Sequence, residues 1–282
     1  MKFKNWYKLL VFLMGTVGLL GCIQENKSDD SLLVMLLGAQ VVSNCSTPQL
    51  SGSDNSVKLT PYQKSGSQYM GSLGYLSNYE FGRRIHLNTN TSNPSQYLPI
   101  FYNANSNCEV PQDYSKSIGS YSYYSAVTSN VKTVSTPLSG NLMMNISSFF
   151  PSKLSPTDIT VSIDATSICK TPTVADSTQR ALPFDLKGVM PLSVIKINSY
   201  APNQEIVITS TTTSLLNLDP LIVTGSDACY PQTFRSILFT QTSLTATQAS
   251  WSSSTVSGPL VILLKYPDST TVAPNDIKIQ IQ

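Results

Sequence analysis

Five cysteines and a single histidine are the side chains of this 282-residue chain best suited to chemistry, and their spacing limits which chemistry is open to them. No C-x-x-C occurs and His86 stands alone, so no thiolate or imidazole ligand set exists, and neither metal nor cofactor is expected. A Ser-His-Asp triad would have to use His86, which follows Arg83-Arg84-Ile85. The G-x-S-x-G elbow that presents a serine nucleophile is missing. Ser129-Asn130-Val131-Lys132 fits S-x-x-K, but a serine-rich chain produces that pattern freely. The adjacent arginines also oppose a protonated imidazole. No catalytic residue is assigned, and the expectation is a non-enzyme.

Cys45, Cys108, Cys169 and Cys229 remain once Cys22 is set apart. An even set in an exported chain reads as disulfides, and four cysteines allow three pairings. An internal repeat chooses among them. Ser139–Ile163 laid over Ser257–Ile281 without gaps is identical at seven of 25 positions, including Gly140/Gly258, Pro156/Pro274, Asp158/Asp276 and Ile163/Ile281. Cys45-Ser46-Thr47-Pro48 is echoed by Cys169-Lys170-Thr171-Pro172, and CEVPQDYSKSI at 108–118 by CYPQTFRSI at 229–237. Recurrence in one order at a near-constant offset signals a duplicated unit. Each copy then closes its own loop, giving Cys45–Cys108 and Cys169–Cys229. Closing about 60 residues stabilises by about 4 kcal/mol on the chain-entropy view.

The elements that must carry these residues are strands. In Asp158–Ile163 and Asp276–Ile281 apolar and polar residues alternate, which places Ile159, Val161 and Ile163 on one face of a pleat. Similar runs are expected at 56–62, 83–90, 98–103, 121–129 and 141–146. In the second copy they fall at 194–198, 205–213, 221–224, 237–247 and 259–266. Leu260–Tyr266 is apolar on both faces, as a strand through a sheet centre should be. Turn residues separate the runs and no long 3.6-residue stripe appears, so the fold is expected to be all-β. The cysteine spacing resembles the inter-sheet disulfide of immunoglobulin domains, which implies two tandem Ig-like β-sandwich domains. The departure is tryptophan: Trp6 precedes the copies and Trp251 follows Cys229, so neither copy has the Trp expected between its cysteines.

The chain opens MKFKNWYKLLVFLMGTVGLLGC, three lysines before a 12-residue apolar run. That run is short of the roughly 20 residues a bilayer span needs and suits a signal-peptide core. Leu19-Leu20-Gly21-Cys22 resembles the lipobox of bacterial lipoproteins. Leu20 makes the box more spirochaetal than enteric, and a Leu-rich tract after the tether resembles spirochaete lipoproteins of unknown function. The resemblance implies cleavage after Gly21, diacylglycerol on Cys22 and a membrane partner through that lipid. Ile23 rather than Asp after the cysteine implies the outer membrane. The organisation expected is 1–21 signal peptide, 22–43 lipidated tether with an apolar segment at 31–42, 44–165 first copy and 166–282 second copy. Segment 31–42 either packs on the first copy or lies at the membrane interface.

Cleavage removes three lysines, leaving 15 basic against 16 acidic side chains and a balance of −1. No basic stripe remains, so nucleic acid is not an expected partner. Ten of 14 tyrosines fall between Tyr62 and Tyr124, among Ser, Gly and Asn. Tyr gives stiff amphipathic contact and its small neighbours adaptable hydrogen bonds, a composition suited to binding protein or carbohydrate. The contact set is Tyr75, Tyr79, Tyr121, Tyr123 and Tyr124 with Arg83 and Arg84. The same tyrosines also suit strand and core positions. The expectation is therefore a lipid-anchored envelope binding or adhesion protein. The alternative is a structural or assembly lipoprotein with its tyrosines turned inward, and the remote alternative an envelope hydrolase.

Overall fold

The computed structural model describes residues 49–50, 57–58, 60–63, 70–89, 94–104, 124–128, 130–148, 159–187, 190–231, 233–234, 238–266 and 276–282. Short alternating runs with turn residues between them form strands throughout, with 3-10 turns at Pro94–Gln96 and Ile168–Lys170. The first sheet orders β1 (Gln49–Leu50), β4 (Met70–Tyr79), β9 (Gly140–Ser148) and β6 (Tyr97–Asn103), and β3 (Thr60–Gln63) also pairs with β4. The second orders β2 (Val57–Lys58), β10 (Ile159–Ile163), β5 (Ile85–Thr89), β8 (Val131–Ser135) and β7 (Tyr124–Val127). The third orders β11 (Thr173–Ala175), β13 (Leu192–Tyr200), β19 (Gly258–Lys265), β15 (Leu221–Thr224) and β16 (Thr233–Phe234). The fourth orders β12 (Arg180–Ala181), β20 (Lys278–Ile281), β14 (Glu205–Thr209), β18 (Gln248–Ser252) and β17 (Thr240–Leu244).

Each half is a β-sandwich. Leu76, Phe101 and Leu142 of the first sheet meet Ile85, Val134 and Val161 of the second in one core. Ile195, Ile222 and Ile262 of the third meet Ile208, Trp251 and Ile279 of the fourth in another. The halves share one strand order and repeat at particular positions. Tyr79 lies opposite Gly140 after a register shift, and Tyr200 lies opposite Gly258 after the same shift. Both glycines have positive φ, +91° and +98°. The Tyr79 hydroxyl donates to the Arg83 carbonyl (2.5 Å) and accepts from the Thr136 amide (3.3 Å). The Tyr200 hydroxyl donates to the Gln204 carbonyl (2.6 Å) and accepts from the Ser253 amide (2.9 Å). The two phrases that disclosed the repeat occupy one place: β10 lies beside β5, and β20 beside β14.

The strand predicted to be apolar on both faces, β19, joins the halves. Leu260, Ile262 and Leu264 face the second core. Val261 and Leu263 face the other way, into a third cluster with Val194, Val223 and Phe81, against which Tyr124 and Ala126 pack. Phe81, Tyr124 and Ala126 belong to the first half, so the outer face of the third sheet is covered by its neighbour. Burying each such aliphatic or aromatic side chain contributes about 1.5–3 kcal/mol, and Ser46–Gln282 forms one compact unit.

The β4–β5 turn shows how closely the halves meet. Gly82 has φ +76°, and a Cβ there would lie 3.0 Å from Leu263 Cδ1 and 3.1 Å from Val194 Cγ2. Its repeat counterpart, Asn203, has φ +68° and is exposed. Both positions need the left-handed region, which Asn tolerates. Only the one against the other sandwich also needs the missing side chain.

Cys169 and Cys229 form a disulfide with Cα atoms 5.0 Å apart, as the repeat predicts. The Ig-like detail is corrected, however. The bridge does not cross between sheets inside the sandwich. It ties the Ile168–Lys170 turn to the loop after β15, in the third cluster at the junction. The second core is filled by Trp251 instead. Cys22, Cys45, Cys108, the signal-like start and segment 31–42 lie outside the described residues.

Candidate functional site: a buried polar junction

The residues singled out as ligand contacts converge, but inward. Tyr75 is 3 % exposed, Tyr79 1 %, Arg83 8 % and Arg84 2 %. All four are withdrawn from a contact face: Tyr79, Arg83 and Arg84 spend their polar groups on the protein itself, and Tyr75 is buried on β4. Tyr121 and Tyr123 lie outside the described residues. Tyr124 is half-buried at the junction. Its hydroxyl donates to the carbonyls of Asp219 and Leu263, the latter at 3.1 Å, both in the second half. Burial and then the nearby Asp219 carboxylate push that phenol far above its ordinary value. Burial also pushes Tyr79 up to about 12. Neither phenol ionises at neutral pH.

Arg84, at the start of β5, holds the centre. Its guanidinium donates to Asp185 Oδ2 (2.9 Å), the Asp185 carbonyl (2.8 Å), the Met190 carbonyl (2.8 Å) and Asp164 Oδ2 (3.2 Å). Asp164 closes the first half and Asp185 belongs to the second, so one planar fork spans the junction. Arg83 donates to the carbonyls of Asp164 (2.5 Å) and Ala165 (2.9 Å). Burial alone would raise the Asp164 carboxyl, but the hydrogen bonds and charges of His86 and Arg84 outweigh it. Its pKa lies below the ordinary carboxylate value.

His86 completes the network. Nε2 lies 2.8 Å from Asp164 Oδ1 and Nδ1 lies 2.9 Å from Thr133 Oγ1. A hydroxyl, an imidazole and a carboxylate in line have the members of a nucleophilic relay. Thr133 is 1 % exposed on β8, so an incoming carbonyl has no approach to its oxygen. Lys132, the base of the S-x-x-K pattern, donates from Nζ to the Tyr97 carbonyl (2.6 Å). Among the described residues no group of three His, Cys, Asp or Glu side chains is placed to hold a metal ion.

Sequence reasoning missed the acidic partners. Asp164 follows β10 and Asp185 lies in the loop before β13, and no motif links either to Arg84. It also took Asp276 only as the first polar position of the strand phrase Asp276–Ile281, although the carboxylate is an acceptor hub. Ser210 Oγ (2.6 Å), Thr212 Oγ1 (2.9 Å), the amides of Thr211 (2.9 Å) and Thr213 (2.7 Å), and the Thr211 hydroxyl all donate to it. The run Thr209–Ser214, all hydroxyl residues, was the available signal.

No protein-family model matches the chain, and no curated protein matches it. Among solved structures, the CUB1-EGF-CUB2 region of human MASP-1/3 aligns over 80 % of this chain and 100 % of its own, at 9 % identity and a TM-score of 0.17. AerE from Microcystis aeruginosa aligns over 76 % of this chain and 100 % of its own, at 8 % identity and a TM-score of 0.11. Neither likeness reaches a level that bears on this chain's fold or function.

Proposed function

We propose that this chain is a lipid-anchored envelope protein with a structural or assembly role, in which the Tyr-rich first half is a rigid partner of the second half. One observation carries the reading: Arg84 and Tyr124 spend their polar groups on backbone and carboxylate acceptors of the second sandwich, while Tyr79 and Arg83 spend theirs on acceptors inside the first. An adhesion surface needs such groups in solvent, where a partner can reach them. The envelope address rests on the basic front, the apolar run and Leu19-Leu20-Gly21-Cys22. Two or three acyl chains, at about 0.8 kcal/mol per buried methylene, anchor such a body to a leaflet.

Two measurements test the reading. Palmitate labelling in a bacterial host should mark the wild-type chain and not Cys22→Ala, which should leave the membrane fraction. The full chain, probed against arrays of glycans and matrix proteins, should show no saturable binding. Saturable binding that is lost on replacing Tyr121 and Tyr123 with Ser would restore the adhesion reading and remove this one.

A further inference from the structure

The duplication supplies its own comparison, because positions aligned by strand register should share residues unless one copy has acquired a task. At one end of the second sandwich they do not. Ile85 pairs with Val134 in the first copy and Ile206 with Trp251 in the second, so Trp251 stands where the first copy has Val134. Met144 pairs with Phe101 and Ile262 with Ile222. Counted back three residues from that pair, Leu98 falls on β6, whereas Asp219 falls just before β15 begins, so the second copy carries a carboxylate at the entry to the matching strand. A large indole and a carboxylate have both appeared at one end of one copy.

They line the same cavity. It measures about 440 Å³ and is bounded by Leu216, Asp219, Phe239, Gln241, Leu244 and Trp251. That volume falls within the range of small-molecule sites, roughly 300–1,000 Å³. Trp251 is 5 % exposed, whereas Leu216 is 52 % and Leu244 40 % exposed. Asp219 is the single ionisable side chain of the lining. Asp219 itself is exposed, its carboxylate forms no ion pair among the described residues, and partial burial raises its pKa above the ordinary value. An unpaired carboxylate at the open side of apolar walls offers a cation a charge-assisted hydrogen bond while the walls take its apolar body. The segment carrying it is anchored, since Tyr124 of the first copy donates to the Asp219 carbonyl.

We propose that this cavity binds a small amphipathic organic ammonium, its apolar body against Phe239 and Leu244 and its N–H donors on the Asp219 carboxylate. The polar side chain of Gln241 is positioned to accept a further N–H. A neutral isostere keeps the apolar contact and loses the charge-assisted hydrogen bond. An anionic isostere meets the Asp219 charge directly.

The probe is 2-phenylethylammonium, with 2-phenylethanol and 3-phenylpropionate as isosteres. The full chain carrying Trp6→Phe, in detergent micelles, makes Trp251 the sole tryptophan, so its emission reports on the cavity. Calorimetry supplies the affinity. The ammonium should saturate and bind about tenfold or more tighter than the alcohol, as one charge-assisted hydrogen bond implies. The carboxylate should not bind. Asp219→Asn should equalise ammonium and alcohol, and Gln241→Lys should abolish ammonium binding, both with unchanged far-UV circular dichroism. Equal affinity for ammonium and alcohol in the parent chain overturns the proposal. So does an ammonium affinity unchanged by Asp219→Asn, or the absence of saturation at millimolar ammonium.

Discussion

A carboxylate removed from water is stable only where donors replace the water it loses. Asp276 is 8 % exposed and is wrapped by the hydroxyls and amides of Ser210–Thr213. Burial would raise its carboxyl, and those donors outweigh it, so the folded pKa lies far below the ordinary range. The sign of the linkage follows. A depressed carboxylate adds stability above its unfolded value, about 3.9, and loses it as pH falls toward the folded value. Asp276→Asn should therefore cost about 2–3 kcal/mol at neutral pH, and the gap to wild type should narrow below about pH 4. Urea unfolding of both chains at pH 7 and pH 3 measures this, and a gap independent of pH would refute it. Arg84 is the cationic counterpart. Arg84→Ala leaves Asp164 and Asp185 facing each other without their cation, and should cost about 3 kcal/mol. Arg84→Lys should recover little, because one ammonium cannot reach acceptors arranged around a planar fork. Chemical unfolding of the two variants separates these outcomes. The sequence displayed Arg83, Arg84 and His86 as a cluster but not its acceptors. Asp164 and Asp185 approach Arg84 only through the fold, from 80 and 101 residues away.

At the scale of elements, strands with period-two alternation or a continuous apolar run were legible, and several strands with neither were not. β5 and β10 alternate buried and half-buried residues as their letters imply. β19 is apolar throughout because it has a core on each face. β4 was missed, although it is ten residues long and pairs with three strands. Its letters, MGSLGYLSNY, combine small turn formers with tyrosine and read as an exposed loop. Tertiary pairing overrode weak strand propensity there. That misreading also moved the expected ligand site, since Tyr75 and Tyr79 lie on this strand. β8 and β18 escaped notice because VKTVS and QASWS are mostly polar. The β4–β5 turn allows a test. Gly82→Ala combines left-handed strain of about 1–2 kcal/mol with overpacking of about 1–3 kcal/mol against Leu263 and Val194. Asn203→Ala, at the matching exposed turn, carries the strain alone. Thermal unfolding should show the larger loss for Gly82→Ala, and equal losses would mean that the turn is not packed between the sandwiches.

Across the whole molecule, two sandwiches of matching strand order meet at positions where their residues differ. Phe81 and Gly82 fit the outer face of the third sheet, whereas Pro202 and Asn203, their counterparts, are exposed. One copy became the donor of the interface and the other its acceptor. The disulfide reinforces the same seam. Cys229 is bonded to Cys169, and its carbonyl accepts the Phe81 amide at 2.9 Å. The Ser167 hydroxyl, two residues before Cys169, donates to the Phe81 carbonyl at 3.1 Å. Both backbone groups of Phe81 are thus held from either side of the bridge. Closing a loop with a sequence separation of 60 contributes about 4 kcal/mol on the chain-entropy view. A bridge acting only through that entropy would weaken the second copy alone. A bridge that also positions the acceptors of Phe81 would loosen the first copy too. Hydrogen exchange on Cys169→Ser/Cys229→Ser should therefore show lost protection at Phe81 and across the β4–β5 turn, as well as around Cys229, while β5 and β10 stay protected in their own core. Loss confined to the second copy would mean that the seam holds without the disulfide, and that the two sandwiches are coupled by Arg84 and the apolar face alone.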